Sequence, residues 1–364
     1  GQAARVRVNG REVGGFFEAY ANPVRRFAED SLWIPLAAQD CAQGSLAVAS
    51  DASDSPNPYS EAGYRAVFFN LPQRTLALTQ GTPLKVLDTT ALDGAAYYVN
   101  DHTLVRGKDG KWHIFGIFHK EPFDPEHEYD FVHAVGPTAS PGAWTQGAFA
   151  VDEKMALSRD ASVGETHIWA PHVVADSGRF VMFYQGGGSD NDKAGMRAAT
   201  SGDLGAWTRV GPKPVFEDIC VARDPMVIRV KDRWVMYYTR CRDKESQLSG
   251  VAYRTSTDLS HWSEPAMALT ITDSEPMFNS GYSESPFVFY KDGWYYLSVT
   301  AYPVSWDATF LYRSRTPFAF TEPAVARLRA HAPEWIVDER DGGVFMTHAG
   351  PGQGGVWVIP VSGF

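Results

Sequence analysis

Apolar positions along this chain come in short runs of about four, each closed by a turn rich in Lys, Asp and Gly and followed by an aromatic-rich stretch. The layout occurs five times: "NDHTLVRGKDGKWHIFGIFHK" from Asn100, "WAPHVVADSGRFVMFYQGGG" from Trp169, "ARDPMVIRVKDRWVMYYTRC" from Ala222, "SESPFVFYKDGWYYLSVTAY" from Ser283 and "HAPEWIVDERDGGVFMTHAG" from His331. A polar or aromatic pair and usually a Pro stand at the head of each. The pattern predicts one β-hairpin, repeated.

Third strands follow in "GMRAATSGDLGAWTRV", "GVAYRTSTDLSHWSEP" and "TFLYRSRTPFAFTEP", so the units are longer than hairpins. Anchors at Asp101, Ala170, Asp224, Ser285 and Ala332 are separated by about 47 to 69 residues, the length of a four-stranded blade with loop insertions. The expected fold is all-β, a five-bladed β-propeller over residues 91–364 with an N-terminal β-rich extension or small domain over 1–90. A β-sandwich would show alternation without a motif recurring at this period. The last unit holds only three strands before Phe364, which leaves "TPLKVLDTT" or "ARVRVNG" to supply the fourth and close the ring.

Composition agrees with short strands and turns: 33 Gly and 23 Pro accompany 13% aromatic residues in 364. A formal net charge of -10 opposes nucleic acid and anionic membrane, and a neutral, sugar-like partner fits better. No apolar run is long enough to span a bilayer. The start, "GQAARVRVNG", has neither an initiator Met nor an apolar signal core and reads as processed or trimmed. Of three Cys, Cys220 and Cys241 bracket the third hairpin and lie opposite one another if its pairing is symmetric about positions 230 and 231. A bridge and two buried thiols are both open.

In a propeller the first strand of each blade lines the central channel, so equivalent positions converge. Those positions hold Asn100, Trp169, Arg223, Glu284 and His331, then Asp101, Ala170, Asp224, Ser285 and Ala332. A single carboxylate at a strand end is more often a turn former or a solvated charge. Three drawn to one channel repel one another and raise at least one pKa, an arrangement costly for folding alone. One protonated and one ionised carboxyl across a cavity are what hydrolysis of an acetal requires.

Here the sequence resembles the five-bladed propeller glycosidases of glycoside hydrolase families 43 and 32, with relatives in families 62, 68 and 117. The resemblance covers about residues 90 to 364 and rests on Asn100-Asp101, "WAPHVV", "RDP", "ESP" and "HAPE" in that order. It implies that Asp101 is base or nucleophile, that Asp224 tunes pKa and holds the sugar, and that Glu284 is the general acid. Family 43 enzymes invert and family 32 enzymes retain; "WAPHVV" favours the first, and "ND", "RDP" and "ESP" the second. The first-blade motif departs from family 32, with His102 where Pro is usual. Carboxyl separation decides between the mechanisms: about 5 to 5.5 Å for direct attack, about 6.5 to 9.5 Å to admit a water.

Around these, Arg223 is a candidate to hold a carboxylate ionised or to bind a sugar hydroxyl, or is an ordinary ion pair between blades. Trp169 is a candidate sugar platform, with Trp33, Trp306 and Tyr282 as further loop aromatics. Asn100, His172 and His331 complete the substrate-binding set. The resemblance implies that a fifth-blade His helps hold a central calcium or sodium ion in some family 43 enzymes. Hard cations prefer oxygen ligands, so for His331 a water-bridged role or a hydrogen-bonded core position is the expectation, and no required cofactor is expected. The loop "GGGSDNDKAG" lacks the order of a calcium loop. Neither a phosphate loop nor a serine elbow is present.

The expectation is a secreted or periplasmic glycosidase for arabinofuranosyl, xylosyl or fructofuranosyl linkages in oligosaccharides or polysaccharides. The alternatives are a non-catalytic carbohydrate-binding propeller, or a transglycosylase, phosphorylase or lyase on the same ring.

Overall fold

A computed structural model describes residues 76–187, 195–218, 222–240, 249–271, 282–302, 308–338, 340 and 342–364, and the backbone of three N-terminal strands. The chain divides into two compact units, Gly1–Phe69 and Asn70–Phe364. In the first, β1 (Ala3–Val8) pairs with both β2 (Arg11–Phe17) and β3 (Val48–Asp51), all antiparallel. The second is a five-bladed β-propeller.

Blade one contains β6 (Tyr97–Arg106), β7 (Trp112–Lys120) and β8 (Asp130–Val135), with short β9 (Ala150–Val151) and β10 (Leu157–Ser158) outermost. Blade two is β11 (Ile168–Asp176), β12 (Arg179–Gly186), β13 (Gly195–Ser201) and β14 (Thr208–Arg209). Blade three is β15 (Ala222–Val230), β16 (Arg233–Arg240), β17 (Ser249–Ser256) and β18 (Ala266–Ile271). Blade four is β19 (Tyr282–Lys291), β20 (Trp294–Tyr302), β21 (Ala308–Ser314) and β22 (Ala326–Arg329).

Blade five has β23 (Trp335–Val337), β24 (Val344–His348) and β25 (Gly355–Ser362), and is completed from upstream by β4 (Thr79–Gln80) and β5 (Leu84–Asp88). The "TPLKVLDTT" segment is therefore the closing strand. Its pairing with β25 sets the division between the two units before it, at residues 69 and 70, instead of near residue 90. Gly355 permits the junction: its φ is +128°, and a Cβ there would lie 1.9 Å from the Leu87 carbonyl oxygen.

The hairpin turns match the alternating pattern that predicts them. Ser177 and Gly178 in blade two, and Asp292 and Gly293 in blade four, all have positive φ, as a two-residue turn twisted with its strands requires. In blade three the turn is Lys231-Asp232, since Val230 pairs with Arg233. The hairpin is thus centred one position later than the symmetric pairing about 230 and 231. Cys41, Cys220, Cys241, Trp33, Trp306, the Tyr282 side chain and most of the loop after Gly186 lie outside the described residues.

Apolar side chains of adjacent blades interleave to form the core. Phe115, Ile117 and Phe131 of blade one pack with Val173, Phe180 and Tyr184 of blade two, and Val181 and Phe183 pack with Val227, Met236 and Tyr238 of blade three. The innermost strands β6, β11, β15, β19 and β23 follow one another around the axis, and β25 meets β6 to complete the ring. Among the described residues no helix is long and apolar enough to cross a membrane.

Candidate active site

Four of the five innermost strands, β6, β11, β15 and β19, are interrupted where they reach the axis. The ladder skips between Asn100 and His102, Trp169 and His172, Arg223 and Met226, and Glu284 and Phe287. In blades two to four the skipped pair ends in Pro171, Pro225 or Pro286, which has no N–H to give to the ladder. Blade one has His102 in place of the proline, and its bulge is one residue shorter.

Three of the bulged residues, and Ala332 ahead of β23, share one backbone conformation. Ala170, Asp224, Ser285 and Ala332 all have φ between +44° and +55°, a conformation that costs a non-glycine residue about 1–2 kcal/mol. These four and their prolines, with Asp101, His102, Phe287 and Glu334, line a cleft on the axis. The recurrent strain lies along the cleft.

Asp101 and Asp224 of that lining form one charge cluster with Arg223 and Glu284, which are not part of the lining themselves. Arg223 donates from Nη2 to Glu284 Oε1 at 2.8 Å, and its Nε is 3.6 Å from Asp224 Oδ2. Asp224 Oδ2 also accepts from Thr239 Oγ1 and from the Ser285 backbone N–H, each at 3.0 Å. Ser285 then uses its hydroxyl on the third acid, donating to Asp101 Oδ1 at 2.6 Å.

Three acids with one arginine leave excess negative charge in a region of low dielectric. Burial pushes the Glu284 carboxyl up to about 7; Arg223 pulls it down, and the charges of Asp224 and Asp101 add to the rise. Burial also raises Asp224, against Arg223 and with the Asp101 charge. Asp101 is raised by burial, opposed by the Ser285 hydrogen bond and Arg223. A carboxyl at about 7 is partly protonated at neutral pH, so Glu284 has a proton available to give.

The remaining predicted residues have distinct places. Asn100 and His331 are buried and bond to each other, His331 Nε2 to Asn100 Oδ1 at 2.9 Å; neither lines the cleft. His172 donates from Nε2 to the Val227 carbonyl at 3.2 Å and faces Glu334. Trp169 is half-buried, and His167 stacks on one face of its indole with ring centroids 3.8 Å apart.

Among the described residues no group of three or more His, Cys, Asp or Glu converges as metal ligands, and His331 Nε2 is engaged by Asn100.

Four residues of the site escaped the sequence reading. Ser285 stood in the repeat alignment without a role, and Glu334 stood in the quoted "HAPE". Thr239 was reachable only through the bulged register that pairs it with Arg223. Glu128 is 1% exposed, bonds Tyr98 and is raised well above the carboxylate range, by burial first and with Asp101 contributing. No repeat position marks it.

The model of glycosyl hydrolases family 43 matches residues 142–327, just over half of the chain. The chain belongs to glycoside hydrolase family 43. It is therefore a glycosidase by family, and the matched segment contains Asp224 and Glu284, while Asp101 lies upstream of it.

Solved structures similar to this family 43 chain share its fold at low identity. An endo-arabinase from Bacteroides thetaiotaomicron superposes with a TM-score of 0.56 at 13% identity, covering 77% of this chain and 97% of that one. An α-L-arabinofuranosidase from Lactobacillus brevis gives 0.56 at 12%, covering 76% and 94%. A family 32 β-fructofuranosidase from Bombyx mori gives 0.53 at 17%, covering 74% and 61%. No curated protein sequence matches the chain.

Proposed function

We propose that this glycosidase hydrolyses furanoside or pentoside linkages, arabinofuranosyl or xylosyl before fructofuranosyl, with inversion at the anomeric carbon. The observation that supports the proposal is one charge cluster in which Arg223 contacts both Asp224 and Glu284 and Ser285 bonds Asp101, with Asp101 and Asp224 lining the axial cleft. Family 43 membership supports inversion, and the solved structures named for arabinan and arabinofuranoside cleavage support the sugar class.

In this mechanism Glu284, protonated below about pH 7, gives its proton to the departing glycosidic oxygen. Asp101, ionised, takes a proton from a water that attacks the opposite face of the sugar. Arg223 orients Glu284 and neutralises part of the charge around it. Asp224, held by Thr239 and the Ser285 N–H, raises the proton affinity of Glu284 and is placed to accept from a sugar hydroxyl.

Release of reducing sugar from arabinans, xylans, fructans and aryl furanosides tests the activity, with NMR of the first-formed anomer testing inversion. Asp101→Asn, Asp224→Asn and Glu284→Gln should each cut hydrolysis of oligosaccharides by about 10²-fold or more while leaving the protein folded. Saturable oligosaccharide binding with no product at any pH would identify a binding propeller instead.

A further inference from the structure

Glu334 follows the fifth-blade anchor Ala332 by two positions, and it lines the same cleft as Asp101 and Asp224. One of its oxygens is hydrogen-bonded from a second blade, and the other faces a histidine of a third. Thr103, two residues after Asp101 on β6, donates from Oγ1 to Glu334 Oε2 at 3.1 Å. His172 of β11 presents Nδ1 to Glu334 Oε1 at 3.6 Å.

The backbone of Glu334 is fixed as well. Its N–H donates to Thr347 Oγ1 at 3.1 Å, and the Thr347 hydroxyl also contacts His102, the residue after Asp101, at 2.6 Å. The acid and the strand that carries Asp101 are thus tied at two points. A side chain so constrained in a buried channel is set to act on its neighbour through charge.

We propose that Glu334 is a positioning residue of the active site, a fourth carboxylate held by Thr103 and facing His172 that fixes how strongly Asp101 draws a proton from the attacking water. The proposal rests on Asp101 being the general base. A like charge in a low-dielectric cleft strengthens a base, and a base with too little proton affinity is a poor catalyst. The Glu334 charge does push the Asp101 carboxyl up, behind burial as the main cause and against Ser285 and Arg223.

The other charged and titratable groups around Asp101 come from every neighbouring element. Arg223 and Asp224 come from blade three, Glu284 from blade four, and Glu128 from the segment between β7 and β8; His102 follows on its own strand. Of these, Arg223 is the counter-charge and the carboxylates add to Glu334 in sign. Removing Glu334 alone should leave the balance tipped toward a weaker base.

The test is the pH dependence of kcat/KM on an aryl furanoside for the wild type, Glu334→Gln, Glu334→Asp and Thr103→Val. Glu334→Gln should move the acidic limb down by about half a pH unit or more. Glu334→Asp should restore it, and Thr103→Val should shift it the same way by less. An acidic limb that stays put or moves up in Glu334→Gln overturns the inference, whatever the rate. If that variant does not fold, an unmoved limb in Thr103→Val does so. A wild type inactive on every substrate, or an Asp101→Asn variant with full activity, removes the base itself and the inference with it. An active wild type, an inactive Asp101→Asn and an unmoved limb in Glu334→Gln reject the role of Glu334 alone.

Discussion

Ser285 donates its hydroxyl to Asp101 across 184 positions of sequence, while its backbone N–H donates to Asp224. One small residue, set at φ +49° in the bulge beside Glu284, thereby fixes both other acids of the site. The hydrogen bond to Asp101 favours the ionised form.

Ser285→Ala should therefore raise the acidic limb of kcat/KM, opposite to Glu334→Gln, and lower kcat/KM by about tenfold. The melting temperature should change little, because alanine already occupies the equivalent positive-φ positions 170 and 332. A limb that does not rise would show that Asp101 is not the group titrating there.

Replacing the proton donor should depend on the leaving group. Glu284→Gln should cost about 10²–10⁴-fold in kcat/KM on oligosaccharides. On dinitrophenyl glycosides, whose leaving group departs without a proton, the loss should be far smaller. Equal losses on both would contradict the acid role.

The same carboxyl should leave a mark on stability. Its folded pKa of about 7 lies above its ordinary 4.5, so between those values the native protein binds more protons than the unfolded chain. Stability from this group therefore falls as pH rises from 4.5 to 7, by on the order of a few kcal/mol before partial exposure and coupling reduce it. Urea midpoints measured across that window should slope downward, and Glu284→Gln should flatten the slope. Asp101 and Asp224, raised in the same direction, should leave a remainder.

Ring closure offers a test independent of catalysis. Gly355→Ala would set a Cβ against the Leu87 carbonyl in the pairing of β25 with β5 and should destabilise the propeller by about 2 kcal/mol or more. Gly178→Ala is the control: its φ is also positive, but a Cβ there meets nothing within 4 Å. A melting temperature equal in the two variants would mean that the closing strand contributes little.

The five hairpins were legible because alternation and turn chemistry act over a few residues, and Asp101, Asp224 and Glu284 were legible because a repeat makes equivalent positions comparable. Glu128 belongs to no repeat position, and Glu334 falls two residues past one, so nothing local distinguished either from a solvated acid. The hairpin register of blade three slipped for a similar reason. The sequence shows that Lys231 and Asp232 form a turn region, but which pair forms the turn depends on the twist of the strands it joins.

The sequence by itself determined the blade, its count, its closure from upstream and the identity of three acids at blade entrances. The tertiary structure alone decided how those acids are held and charged: Ser285 between two of them, Arg223 against the third, and Glu334 and Glu128 beside them. The reason is physical. Strand and turn preferences are set by neighbours in the chain, whereas burial and charge coupling depend on distances around the axis, which exist only once the ring is closed.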